Sequence, residues 1–347
     1  MSFITNLSID EKNNRISFLL KNNDKIKISF ANALRRIMIS NIHVHIMGKT
    51  VFFENTSMID NEFLEHRLKL IPINCEYIDS ISKDYENIYE NIVISCKKQN
   101  ENNENLLSVY PSDFVCKIGE IELENSKIFP YPDILFGKLK MNQKVSFESR
   151  LVKNNQEYGG SFFEPVAQCV YTFGIDEKKS SEMMKSMSEE EQKKFSTLDI
   201  ARVYSKTNTG EPDTYIFDYV SIGFYPCMYI LRKAVEILTN KLLVIKNEMK
   251  KNNSVKLYIY QHKENTNFIN FDINDENDTL GNLLTTYLTN DKDVFFSGYI
   301  IEHPLKKNFI LKIQLKENNS VENIILKITE VIDLLLSYCN DISKDIN

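Results

Sequence analysis

Two places in this 347-residue chain set acid–base or metal-binding side chains at a workable spacing. Glu62, Glu65 and His66 fall in one short stretch, and Glu62 and His66 at i and i+4 would share a helix face, where a carboxylate could support an imidazole as general base. His43 and His45, two apart on a strand, would point the same way and offer half of a metal site. Neither set is complete. No nucleophile or glycine-rich phosphate loop accompanies them, and Cys75, Cys96, Cys116, Cys169, Cys227 and Cys339 form no C-x-x-C pair. A local helical pair and hydrogen-bonded structural histidines account for these residues, so the expectation is no catalytic residue, no metal and no cofactor.

The more informative residues are those of Ser29-Phe30-Ala31-Asn32-Ala33-Leu34-Arg35-Arg36, echoed 250 positions later by Thr279-Leu280-Gly281-Asn282-Leu283-Leu284. Each stretch reads as a helix with a hydroxyl N-cap, Ser29 or Thr279, and apolar residues on one face. Carried on, the same offset pairs Val44 with Val294 and Gly48 with Gly298, a strand after each helix. The chain therefore carries one unit twice. The face left by Asn32, Arg35 and Arg36 is either a solvated basic face or a docking surface.

In the second copy a strand at 308–315 and a long helix from Ser320 follow directly. In the first, the matching strand and helix come only at 215–222 and 226–250. The intervening residues read as a β-rich insert, with strands at 49–54, 91–96, 114–123, 144–152 and 166–173 and a short helix carrying Phe63, Leu64 and Leu68 that Pro72 must end. The expected division is 1–49 with 213–251 as the first unit, 50–212 as the insert and 252–347 as the second unit. Asparagine-rich turns at 13–14 and 22–24 and a loop at 100–105 punctuate the strands, 252–267 reads as a linker containing a strand, and the charged run 176–197 reads as an exposed helix or excursion.

The two long helices carry apolar stripes at alternating three- and four-residue steps, Met228, Leu231, Val235, Leu238 and Leu242 on one and Ile325, Ile328, Ile332 and Leu335 on the other. Second edges, Ile230 and Ala234 or Ile324 and Val331, leave more apolar surface than one sheet covers. Packing the two copies together as a pseudo-twofold dimer within the chain would bury it. The fold class expected is α+β. A net charge of −6 argues against direct binding to nucleic acid, and no run reaches a membrane span, so a soluble intracellular protein is expected.

Ala31-Asn32-Ala33-Leu34-Arg35-Arg36 together with Glu62-Phe63-x-x-His66-Arg67-Leu68-x-Leu70-Ile71-Pro72 resembles subunit 3 of RNA polymerase II and its archaeal counterpart, relatives of the bacterial alpha N-terminal domain. Asp278-Thr279-Leu280-Gly281-Asn282 with Phe296-x-Gly298-Tyr299-x-x-x-His303-Pro304-Leu305 resembles subunit 11 and the archaeal protein equivalent to it. Both in one chain resemble the fused form encoded by some large DNA viruses of eukaryotes. The resemblance implies two alpha-like dimerisation modules and a non-catalytic platform for the two largest polymerase subunits, with small subunits similar to subunits 10 and 12 nearby, DNA reached only through the complex, and no homo-oligomer. For a viral protein it implies the host cytoplasm and possible packaging in the virion. It assigns Asn32, Arg35, Arg36, Leu280, Gly281 and Asn282 to docking of the large subunits, Arg36 foremost, the long-helix stripes to pairing, and Glu62, His66, Arg67 and Pro72 to a structural motif. Lys69 departs from the family's usual glycine, and the dispersed Cys75, Cys96 and Cys116 depart from the metal-binding cluster of some relatives. A free-standing acid–base enzyme and a homodimeric scaffold are the competing readings.

Overall fold

A computed structural model describes residues 2–22, 25–81, 88–101, 106–208, 210–251, 254–261 and 268–346. The turn at 22–24, the asparagine cluster at 100–105 and the linker 252–267 fall partly outside the described residues. The chain begins with β1 (Ile4–Asp10), β2 (Arg15–Lys21) and α1 (Ile28–Ser40). There follow β3 (Val44–Asn55), α2 (Asn61–Lys69), α3 (Cys75–Ile81), β4 (Ile92–Gln99), β5 (Leu107–Val109), β6 (Val115–Ile118), β7 (Ile121–Leu123), α4 (Asn125–Ile128), β8 (Gly137–Leu139), β9 (Lys144–Asn154) and α5 (Gln156–Gly159). Next come β10 (Val166–Phe173), α6 (Glu177–Lys185), α7 (Glu189–Lys194), β11 (Thr214–Ser221) and α8 (Cys227–Met249). The last elements are β12 (Leu257–Gln261), β13 (Ile269–Asn274), α9 (Asp278–Thr289), β14 (Val294–Ile300), β15 (Asn308–Leu315) and α10 (Val321–Asp345).

Two antiparallel sheets of four strands have the same order, β1-β2-β11-β10 and β12-β13-β15-β14. Each is accompanied by one short and one long helix, so the α+β unit does occur twice. Its strands match differently from the ungapped offset, however. The counterpart of β14 is β10, whose residues Val166 to Phe173 read in sequence as part of the insert but pair with Ser221 to Tyr215 of β11. β3 instead pairs with β9 along its length, from Val44 opposite Asn154 to Asn55 opposite Val145, as the edge of the five-stranded insert sheet β3-β9-β4-β6-β7. The matches of Val44 to Val294 and of Gly48 to Gly298 therefore fail. An apolar strand pattern fixes which side chains are buried without fixing which sheet supplies the ladder partner.

This moves the interruption. The first unit is broken between α1 and β10 by the insert, and again between β10 and β11 by the excursion carrying α6 and α7, where the second unit has only a short turn.

The offset holds within the helices, but the caps lie two residues earlier than the hydroxyls. Lys27 and Asn277 occupy the cap positions, and Asn277 Oδ1 accepts the Thr279 N–H at 3.0 Å. Ser29 and Thr279 are buried in the first turns. α10 starts as its sequence suggests, with Ser320 Oγ accepting the Asn323 N–H.

One apolar core runs continuously through both repeated units. The insert has its own, where Phe114 meets the rings of Phe129, Phe136 and Phe147 edge-on at 5.3–5.8 Å. α2 turns Leu64 and Leu68 into that second core, whereas Phe63 of the same helix is exposed. Residues one apart on a helix diverge by about 100°.

Candidate functional site

The long helices α8 and α10 pack against each other in antiparallel sense. Arg232 near the start of α8 donates from Nε and Nη2 to the carbonyl of Ile346 at 3.1 and 3.0 Å, while Lys246 near its end pairs with Asp333. Along this helix pair Leu231, Val235, Leu238 and Leu242 of α8 and Ile328, Ile332, Leu335 and Cys339 of α10 are buried. Met228 and Ile325 are half-buried against the same core. Ile230, Ala234, Ile324 and Val331, the second edges, are buried as well. Helices with apolar residues on two edges cover their own sheet and the opposite unit at once, which makes the core continuous.

The shorter helices extend the seam. Arg36 Nε on α1 donates to Thr279 Oγ1 on α9 at 2.8 Å. Tyr287 of α9 donates its hydroxyl to the Lys25 carbonyl and accepts the Lys27 N–H, both at 3.0 Å, and burial pushes its phenol above the usual range. Glu157 of α5 accepts from Asn41 Nδ2 at 2.6 Å and from Asn277 Nδ2 at 3.1 Å, tying the end of α1 to the cap of α9. Lys241 of α8 reaches Glu276 at 2.7 Å; burial raises the carboxyl's pKa and the lysine charge partly offsets it. The chain's two ends meet where the N–H groups of Phe3 and Ile4 donate to Asp345 Oδ2.

Against this seam the six expected docking residues separate. Asn32 and Arg35 are half-buried and joined, Arg35 Nε donating to Asn32 Oδ1 at 3.1 Å, and Asn282 is exposed. Arg36 is half-buried and engaged with Thr279. Leu280 and Gly281 are buried, contrary to a surface role. A Cβ on Gly281 would lie 2.7 Å from the Tyr299 ring, so glycine is there to let β14 approach α9.

The residues whose types suggest chemistry are not assembled for it. Glu65 is paired with Lys69, the exposed His66 lies edge-on to Phe162 at 5.0 Å, and Arg67 donates to the carbonyls of Phe136 and Leu135, a structural use. Glu62 is exposed, and Pro72 follows the end of α2. His43 and His45 do not share a face, because His43 precedes β3 and is exposed while His45 is fully buried. Among the described residues no cluster of three potential metal ligands is present.

His45 belongs to a polar node that sequence spacing does not reveal. Its Nε2 donates to Asp79 Oδ1 at 3.0 Å, Lys153 Nζ reaches the same oxygen at 3.0 Å, and the Tyr225 hydroxyl donates to Oδ2 at 2.8 Å. Burial works to raise the Asp79 pKa, but the hydrogen bonds from His45, Tyr225 and Lys153 together hold it below the usual range. Burial, aided by the Lys153 charge, depresses the His45 pKa against the pull of Asp79. The node fastens β3, α3 and β9 of the insert to the loop before α8, and its four members come from distant parts of the chain.

Two like α+β units, joined through antiparallel helices and one core and bearing an insert, make this fold an intrachain pair. Known proteins match it in both halves. The description "RNA polymerase Rpb3/Rpb11 dimerisation domain" matches residues 18–242, and a second form of it matches 268–345. The chain belongs to that family, and carries a subunit-3-like and a subunit-11-like part in one polypeptide. "DNA-directed RNA polymerase subunit Rpo3" of Methanocaldococcus jannaschii is 33% identical over 128 residues, covering 37% of this chain and 56% of the relative. "DNA-directed RNA polymerases I and III subunit RPAC1" of Saccharomyces cerevisiae is 26% identical over 276 residues, 64% of this chain and 81% of the relative. "DNA-directed RNA polymerase II subunit RPB11" of Schizosaccharomyces pombe is 43% identical over 51 residues, 15% and 42% of the two chains. The match to the archaeal protein spans about half of that relative's length.

Proposed function

We propose that this chain is a non-catalytic subunit of a multisubunit DNA-directed RNA polymerase, serving as the platform on which the two large catalytic subunits associate. The observation that carries the reading is the continuous core through two family units in one chain, which supplies internally the pairing that a platform needs. On this reading the first unit comprises α1 with β1, β2, β10, β11 and α8, the insert runs from β3 to α5, and the second unit begins at β12. Docking of the large subunits falls to Asn32 and Arg35 on one copy and Asn282 on the other, while Arg36 holds the copies together. The chain works inside the cell, with DNA contacted through the complex, and small subunits resembling subunits 10 and 12 complete the neighbourhood. A viral factory or virion is the finer part of the proposal.

Tagged chain purified from its native source, with partners identified by mass spectrometry, tests this. Recovery with two large polymerase subunits in equal proportion supports the platform. Recovery alone, as monomer or as homodimer, refutes it and favours the scaffold reading.

A further inference from the structure

The outer face of the insert sheet carries a row of cations that the fold does not use. Lys49 of β3 lies directly opposite Arg150 of β9, Arg150 opposite Val93 of β4, and Val93 opposite Lys117 of β6. Lys49, Arg150 and Lys117 are exposed, and among the described residues none makes an ion pair or a side-chain hydrogen bond. Like charges directly opposite across an antiparallel pair destabilise it, so the Lys49–Arg150 juxtaposition costs the isolated protein stability.

The juxtaposition depends on a local irregularity. The register shifts between Met47 and Lys49, leaving Gly48 as an extra residue in β3. A Cβ on Gly48 would lie 2.7 Å from Val152 Cγ2, so the strands close tightly there. Without the extra residue Lys49 would stand opposite Ser149, which is fully buried, and would point inward. The bulge therefore aims Lys49 outward beside Arg150. Next to them on β3, Val51 and Phe53 are 59% and 63% exposed.

We infer that this face is a docking surface for an extended, acidic segment of another polypeptide, laid across the strands with its carboxylates over Lys49, Arg150 and Lys117. Strand spacing puts Lys49 and Lys117 about 14 Å apart, close to the span of residues i and i+4 of an extended chain at ~3.3 Å per residue. Apolar side chains between the carboxylates would rest on Val93 and Val51. Glu148, outward beside Val51, and Glu122, opposite Lys117, would repel a phosphate backbone, whereas an apolar-acidic peptide can place uncharged positions over them.

The test titrates the full chain, by fluorescence anisotropy, with a labelled nine-residue peptide in which Glu and Val alternate at every second position with Ser between them, so that both share one face of the extended chain, with its Lys–Val counterpart and with a twenty-nucleotide oligothymidylate. The Glu–Val peptide is expected to bind at least tenfold tighter than the other two. Lys49→Glu should weaken that binding tenfold or more while leaving the thermal midpoint unchanged or raised, since the new carboxylate faces Arg150. Arg150→Gln removes the second cation and keeps the test decisive should Lys49→Glu fail to fold. Equal binding of the Glu–Val and Lys–Val peptides, unaltered binding by both variants, or tighter binding of oligothymidylate would each overturn the inference.

Discussion

Arg36 on α1 and Thr279 on α9 stand 2.8 Å apart, Nε to Oγ1, although 243 residues separate them in sequence. The residue that motif reading marks foremost for docking thus spans the two units. Removing either partner takes away a charge-assisted hydrogen bond, for which mutational series give about 1.5–3 kcal/mol. Arg36→Ala and Thr279→Val should each lower the urea midpoint, and in a double-mutant cycle the second change should add little to the first. Additive effects would separate the two residues and return Arg36 to a purely external role.

Leu238 tests the seam more severely. It is fully buried in the middle of α8 within the core shared by both units. Leu238→Asp would bury an unpaired carboxylate and empty an apolar site, each costing several kcal/mol on its own. The variant should lose its cooperative unfolding transition and its amide dispersion in NMR. A folded monomer would contradict the account.

Acid sensitivity should report on the node at His45. Its folded pKa lies below the ordinary 6.5, so between those values the unfolded chain binds the extra proton and acidification favours unfolding. The thermal midpoint should therefore fall as pH drops below about 6.5. Glu276, whose folded pKa is raised, contributes the opposite slope above 4.5, so the readout is the difference between proteins. His45→Gln keeps a donor for Asp79 and should flatten the decline. An identical slope in parent and variant would take the node out of the pH response.

The repeat is legible in sequence because helices announce themselves locally. The apolar spacing around Leu34 and Leu284, and the stripes from Leu231 to Leu242 and from Ile328 to Leu335, each follow from residues within a few turns. The features that sequence misplaces need information from elsewhere in the chain. Whether Val44 or Val166 continues the first sheet depends on whether β9 or β11 supplies the ladder partner, and both strands are equally apolar in outline. Glu157 bridges Asn41 and Asn277, three residues with no sequence proximity, and only the folded chain brings them together. Asparagine at 277 is a stronger cap than Thr279 because its carbonyl reaches the Thr279 N–H. Gly281 stands out in sequence as a small residue in the right place; its reason, the Tyr299 ring against it, belongs to packing.

The central claim is that one chain contains the whole paired platform. Native mass spectrometry of the particle recovered with the tagged chain measures this directly through stoichiometry. The account predicts one copy of this chain with one of each large subunit, because both pairing units are already present and joined. Two copies per particle, or a particle made of this chain alone, would contradict it.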